Sequence, residues 1–111
     1  MAKKAGAITV TASSGNVFAD IGLPNPDQEL LKAQLTLEIY RIVRSRNLTQ
    51  TEAGKILGIR QPHVSLLMRN RSGTFSTERL MSFLASLGRD VEIRIRRTRK
   101  PQGQVSVVVA A

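Results

Sequence analysis

The stretch Leu48-Thr49-Gln50-Thr51-Glu52-Ala53-Gly54-Lys55-Ile56-Leu57-Gly58-Ile59-Arg60-Gln61-Pro62-His63-Val64-Ser65-Leu66-Leu67-Met68-Arg69 limits what this chain can fold into more than any other part of it. It reads as two short helices, one ending at Leu57-Gly58 and the next opening near Gln61. Helices so short and so closely joined must cross steeply if the second is to protrude. Such a crossing needs small residues where the helices touch, which Ala53 and Gly54 provide. The turn needs a residue tolerant of positive φ, which Gly58 provides. Apolar anchors are needed on both sides, and Ile56, Leu57, Ile59, Val64 and Leu67 stand where they are required. The spacing therefore predicts a helix-turn-helix over residues 49–69.

Local signals set its borders. Thr49 and Glu52 have the form of a capping box, with a hydroxyl at the cap and a carboxylate three residues later. Pro62 is tolerated in the first turn of a helix from about Gln61 to Arg69. Upstream, Asn25-Pro26-Asp27 supplies a capping side chain, a proline at the first helical position and an early acid. The helix that follows should place Leu31, Leu35, Ile39, Ile42 and Val43 on one stripe and stop near Asn47. Arg41, Arg44 and Arg46 crowd its last turns, where cations complement the helix dipole. Downstream, Asn70-Arg71-Ser72-Gly73-Thr74 is a polar loop and Phe75 returns the chain to the core. A last helix starts at Ser76 or Thr77 and stops at Gly88, burying Leu80, Phe83, Leu84 and Leu87.

Beyond Gly88 the period changes from helical to twofold. Val91, Ile93 and Ile95 alternate with Glu92, Arg94 and Arg96, so residues 90–97 read as a half-buried strand. Val105 and Val107 to Val109 could form another, and Ile8-Thr9-Val10-Thr11 could become a strand given a partner. A lone strand cannot satisfy its own backbone groups. It must pair with the tail, with the N-terminal arm or with a second copy of the chain. The expected plan is a flexible arm over 1–16, a domain over 17–97 tacked down by Phe18, Ile21 and Leu23, and a basic and apolar tail over 98–111. The fold class is mainly α, with four to five helices and a C-terminal β-strand.

At 111 residues there is material for one domain with a modest core. The chain has no cysteine, which excludes disulfides and thiolate zinc sites. No apolar run approaches the roughly 20 residues that cross a bilayer, and Met1 to Ile8 is basic without a signal-peptide core, so a cytoplasmic protein is expected. The formal net charge is +9. Residues 1–40 hold three lysines against four acids, whereas residues 41–111 hold fourteen Lys and Arg against four. That concentration suggests a polyanion surface in the second part, the alternative being a solvated face that aids solubility.

The motif, with Leu48-Thr49-Gln50, Leu57-Gly58-Ile59, Gln61-Pro62-His63-Val64-Ser65 and Leu67, resembles helix-turn-helix regulators of the Cro and lambda-repressor type. Over residues 13–97 the chain is similar to the subfamily that contains the HigA-like antitoxins. The resemblance includes Ser13 to Leu23, Ser72-Gly73, Phe75-Ser76, Glu78-Arg79-Leu80 and Leu87 to Ile93. It implies a lambda-repressor-like DNA-binding domain whose third helix offers Gln61, His63, Ser65 and Leu66 to base edges. Gln61 can pair bidentately with adenine and Ser65 can reach a base or a phosphate. Gln50 matches the position that usually holds a phosphate, Thr49 stands beside it, and Arg60, Arg69 and Arg71 are further phosphate contacts. Related chains usually carry Ser, Thr or Asp where Arg60 stands. Either the helix starts differently here, or Arg60 has been recruited to DNA.

Three functions compete. One is a transcriptional regulator that binds an inverted-repeat operator as a homodimer, with Val91, Ile93 and Ile95 pairing across the two copies. The second, implied by the resemblance, is neutralisation of a RelE-like toxin clasped by Ala7 to Leu23. These two roles are compatible in an autorepressing antitoxin, though a stand-alone repressor needs only the first. An enzyme is the third reading, against which no paired acids, nucleophile–base pair or metal-ligand set is visible. No cofactor and no metal are expected. A non-specific DNA-coating protein would not need so complete a recognition helix. His63 is the chain's only histidine, and contact with DNA competes with a plain surface role. For Arg94, Arg96, Arg97, Arg99 and Lys100 an accessory phosphate contact competes with a solvated edge that deters aggregation.

Overall fold

The computed structural model of the chain describes residues 8–11, 26–69 and 74–110. In order these form β1 (Ile8–Thr11), α1 (Pro26–Ser45), α2 (Gln50–Leu57), α3 (Gln61–Met68), α4 (Thr77–Ser86) and β2 (Ser106–Val109). They divide into two units, one of residues 32–93 and one of residues 1–31 with 94–111. The expectations for Phe18, Ile21 and Leu23, for a cap at Asn25 and for Asn70 to Gly73, Arg71 included, lie outside the described residues.

The stripe on α1 sends Leu35, Ile39, Ile42 and Val43 into the core of the helical unit. Leu31, expected on that stripe, is half-buried, while Lys32 and Thr36 are buried. Thr36 can occupy the interior because its hydroxyl donates to the Lys32 carbonyl at 2.8 Å. The helix stops where Asn47 takes a left-handed φ of 54° and the Leu48 amide turns back to the Val43 carbonyl at 3.1 Å. Asparagine is one of the few residues that tolerates this conformation.

From α4, Leu80, Phe83 and Leu84 enter the same interior, with Leu87 just beyond the helix. Phe75 joins them, its ring edge-on to Phe83 at 5.3 Å between centroids. The helix is capped by the Ser76 hydroxyl, which accepts from the Arg79 amide at 3.1 Å. Its other end closes at Gly88, where φ is 85° and the Arg89 amide reaches the Leu84 carbonyl at 3.0 Å. The guanidinium of Arg46 donates to the Leu87 carbonyl at 2.5 Å. The cation expected to serve the end of its own helix thus hydrogen-bonds at the end of α4.

The second unit holds a two-stranded antiparallel sheet in which Ile8 stands opposite Val109 and Thr11 opposite Ser106. The strand in the tail thus pairs with a segment of the N-terminal arm. Within the arm expected to be flexible over 1–16, residues 8–11 form the strand that their alternation allows once a partner is present. The strand expected over 90–97 is absent from the single chain, and the C-terminal strand is Ser106–Val109. The alternation at 90–97 is that of a strand, but among the described residues no strand pairs with it. Val91, Ile93 and Ile95 are accordingly exposed rather than half-buried.

Candidate nucleic-acid interface

The site begins with two short helices that face each other through small residues. On α2, Ala53, Gly54 and Leu57 are buried, and on α3, Val64 and Leu67 are. Gly54 is a point of close approach: a Cβ there would lie 2.6 Å from the Ile59 carbonyl oxygen and 3.4 Å from Cγ2 of Val64. The Gly54 carbonyl also accepts from the amides of Gly58 at 2.8 Å and Ile59 at 3.0 Å. The turn is thus folded back directly onto this residue. Gly58 answers a different need, with a φ of 74° and nothing near the place of a Cβ. Ile59 is half-buried beneath the turn. Ile56, expected as an anchor, is exposed, because it sits about 100° round the helix from Leu57 and off the packed face.

The capping box of α2 is complete. Thr49 Oγ1 accepts from the Glu52 amide at 3.0 Å, and the Glu52 carboxylate accepts from the Thr49 amide at 2.8 Å. Hydrogen bonding to the carboxyl by the Thr49 backbone first, and by the Thr49 side chain second, holds Glu52 below its ordinary value. The first turn of α2 is thereby fixed, and with it the direction of Gln50.

At the start of α3, Arg60 occupies the cap with no side-chain hydrogen bond and is exposed. The helix begins at Gln61, as the sequence predicts, with Arg60 in the capping position. Pro62 has no amide to satisfy, and the amides of His63 and Val64 both reach the Arg60 carbonyl, at 2.9 and 3.1 Å. Little at this end requires a capping side chain, so arginine is tolerated there. The Gln61 amide and the positive end of the helix dipole remain for an outside anion.

The outer face of α3 carries Gln61, Pro62 and His63 exposed, with Ser65 and Leu66 half-buried. The side-chain amide of Gln61 donates to the side-chain oxygen of Gln50. A glutamine amide has two N–H donors and a carbonyl acceptor. Gln61 therefore keeps one N–H and its oxygen, the pair that matches N7 and N6 of adenine. Gln50, whose side-chain oxygen accepts this bond, keeps its own N–H groups as donors. Sequence reasoning treated the two glutamines separately and missed this coupling. The signal was present in their positions, each the first residue of its helix.

Around this face, Arg60 and Arg69 are exposed cations. Arg69 partly folds back, its Nε lying 3.4 Å from the Ser65 carbonyl. The His63 ring stands edge-on to Phe75 at 6.4 Å. Phe75 in turn carries the Arg79 guanidinium 5.8 Å from its centroid, and that guanidinium also lies 5.5 Å from the centroid of Phe83. Sequence reasoning missed this packing of Arg79 on the two aromatic rings. Among the described residues, no group of three or more His, Cys, Asp or Glu is placed to hold a metal ion. No described helix is long and apolar enough to cross a membrane.

Comparison with known proteins adds two findings. A family model described as a helix-turn-helix domain matches residues 17–96. A solved structure provisionally named an XRE-family transcriptional regulator is 34% identical, with a TM-score of 0.70. The match covers 79% of this chain and 99% of that one. A search of curated proteins gave no match.

Proposed function

Because the chain belongs to the helix-turn-helix domain family and is a DNA-binding transcriptional regulator of the XRE type, we propose that it reads an inverted-repeat operator as a homodimer in the cytoplasm. The observation that carries the reading is the division of α3 into two faces. Val64 and Leu67 are buried against the domain, while Gln61 and His63 are exposed and Gln61 is braced by Gln50. Gln61, His63, Ser65 and Leu66 read base edges. Gln50, Thr49, Arg60, Arg69 and Arg71 hold phosphates. The two copies of α3 lie about one DNA turn apart, roughly 34 Å, as successive major grooves demand.

The reading extends to an antitoxin that represses its own transcription and neutralises a RelE-like toxin. Its support is the resemblance of Ser13 to Leu23 to the opening segment of the HigA-like subfamily. Replacing Phe18 and Ile21 by serine tests the clasp and leaves the sequence of β1 unchanged. Loss of neutralisation with DNA binding intact is expected, and neutralisation that survives the change rules the clasp out.

The central experiment is a titration on the DNA upstream of the chain's own gene, against a shuffled duplex, at two salt concentrations. A preference of about a thousandfold or more is expected. Equal binding to both duplexes would leave the basic surface as a non-specific tether and overturn the operator reading.

A further inference from the structure

Between α4 and β2 the chain runs through residues 89–105 without helix or strand. Within it, Asp90-Val91-Glu92-Ile93-Arg94-Ile95-Arg96 keeps the strict alternation of a strand. All seven residues are exposed, and the exposure of the apolar set rises from 40% at Val91 to 73% at Ile93 and 94% at Ile95. An apolar row so open to water, on a segment that belongs to no sheet of its own chain, is the pattern of a docking strand.

We propose that Asp90–Arg96 pairs antiparallel with the same segment of a second copy, the twofold axis passing through Ile93. The inference rests on the homodimer reading above and supplies its register. Read against its own reverse, the segment is complementary at every position. Asp90 meets Arg96, Glu92 meets Arg94, Val91 meets Ile95 and Ile93 meets itself. The charged pairs fall on one face of the ribbon and the apolar pairs on the other, as the twofold period of a strand requires.

Other pairings fail on charge or on face. An axis at Glu92 sets that carboxylate against itself. An axis at Arg94 sets two guanidiniums together and brings Val91 opposite Arg97. A slip of one residue throws every apolar side chain onto the charged face. Parallel, in-register pairing stacks Arg94 on Arg94 and Arg96 on Arg96. In the chosen register the next pair outward is Arg89 with Arg97, so like charge ends the ladder at Asp90 and Arg96. A two-stranded ribbon is marginal alone. The dimer it registers is accordingly sensitive to each charged pair.

The chain has no native cysteine, so single thiols report the register directly. Residues directly opposite in an antiparallel pair have Cα atoms about 4.5–5.5 Å apart, within disulfide reach. Ile93→Cys should form a covalent dimer under mild oxidation. Val91→Cys alone should not, since its copies lie roughly 13 Å apart along the ribbon. Val91→Cys mixed with Ile95→Cys should cross-link as a heterodimer. In sedimentation, Glu92→Arg should raise the dimer dissociation constant about tenfold or more, an attraction having become a repulsion on both sides of the axis. Glu92→Arg combined with Arg94→Glu in one chain should restore it. Helical circular dichroism confirms that each exposed-site variant keeps its fold. A native chain that stays monomeric overturns the homodimer reading and the register together. A native dimer that ignores Glu92→Arg, and in which Ile93→Cys does not cross-link, keeps the dimer and overturns the ribbon.

Discussion

The carbonyl oxygen of Ile59 lies 2.6 Å from the point where a Cβ on Gly54 would stand. That approach is made by backbone, which cannot swing aside as a side chain can. Gly54→Ala must therefore push the turn away from α2 and alter the angle at which α3 is presented. A loss of about 1–3 kcal/mol in urea unfolding is expected, as for overpacking elsewhere. DNA binding should fall further than stability accounts for. Gly58→Ala is the contrasting change, since space is open there and only the left-handed backbone resists, at about 1–2 kcal/mol. Gly58→Asn should recover part of that loss. Equal effects of Gly54→Ala and Gly58→Ala on DNA affinity would remove the geometric argument.

The Gln50–Gln61 hydrogen bond makes a joint prediction. Gln61→Ala should cost about 1–3 kcal/mol on the operator and little on random DNA. Gln50→Ala should carry part of the same penalty, because it frees the side chain that reads the base. The double variant should then lose less than the two single losses together. Additive losses in a full double-mutant cycle would mean that the two glutamines act independently.

Arg46 joins two helix ends, and its removal reports on both. Arg46→Ala leaves the Leu87 carbonyl without its charged donor, at an expected cost of about 1–2 kcal/mol. Arg41→Ala serves as the control, since Arg41 makes only a 3.7 Å ion pair with Glu38 on the outer face of α1. Thermal unfolding of the two variants should separate them clearly.

Glu52 gives the fold a pH dependence whose sign is fixed. Its folded pKa is depressed, so its contribution is present above the ordinary glutamate value and is lost as the pH falls through the lowered folded value. Glu52→Gln keeps an acceptor for the Thr49 amide but does not titrate. The stability gap between the native chain and this variant should narrow on acidification below the ordinary glutamate range. A gap that stays constant from neutral pH to strong acid would show that the carboxylate does not act through the cap.

The parts of this fold that were legible in the sequence are those fixed by short-range chemistry. Thr49 with Glu52, Gly58 in its turn, Ser76 at its cap and the Leu80–Phe83–Leu84–Leu87 stripe each need only neighbours within a few residues. The parts that were not legible depend on partners far along the chain. Arg46 finds Leu87, Arg79 finds Phe75 and Phe83, and Ile8 finds Val109, and no local pattern announces any of them. The alternation at 90–97 shows the limit in another way, because a strand pattern states a readiness to pair without naming a partner. Ile56 and Leu31 mark the edges of stripes, where one step of 100° decides between core and water.

The pairing of Ile8–Thr11 with Ser106–Val109 has a consequence in time as well as in space. The loop it closes spans about 100 residues, and such long-range contacts form late because the chain entropy must be lost before the contact is gained. During synthesis, residues 32–93 are complete and able to fold while β2 has yet to leave the ribosome. β1 is thus an early strand that waits for a late one, and throughout that interval its edge is open to any other extended chain nearby.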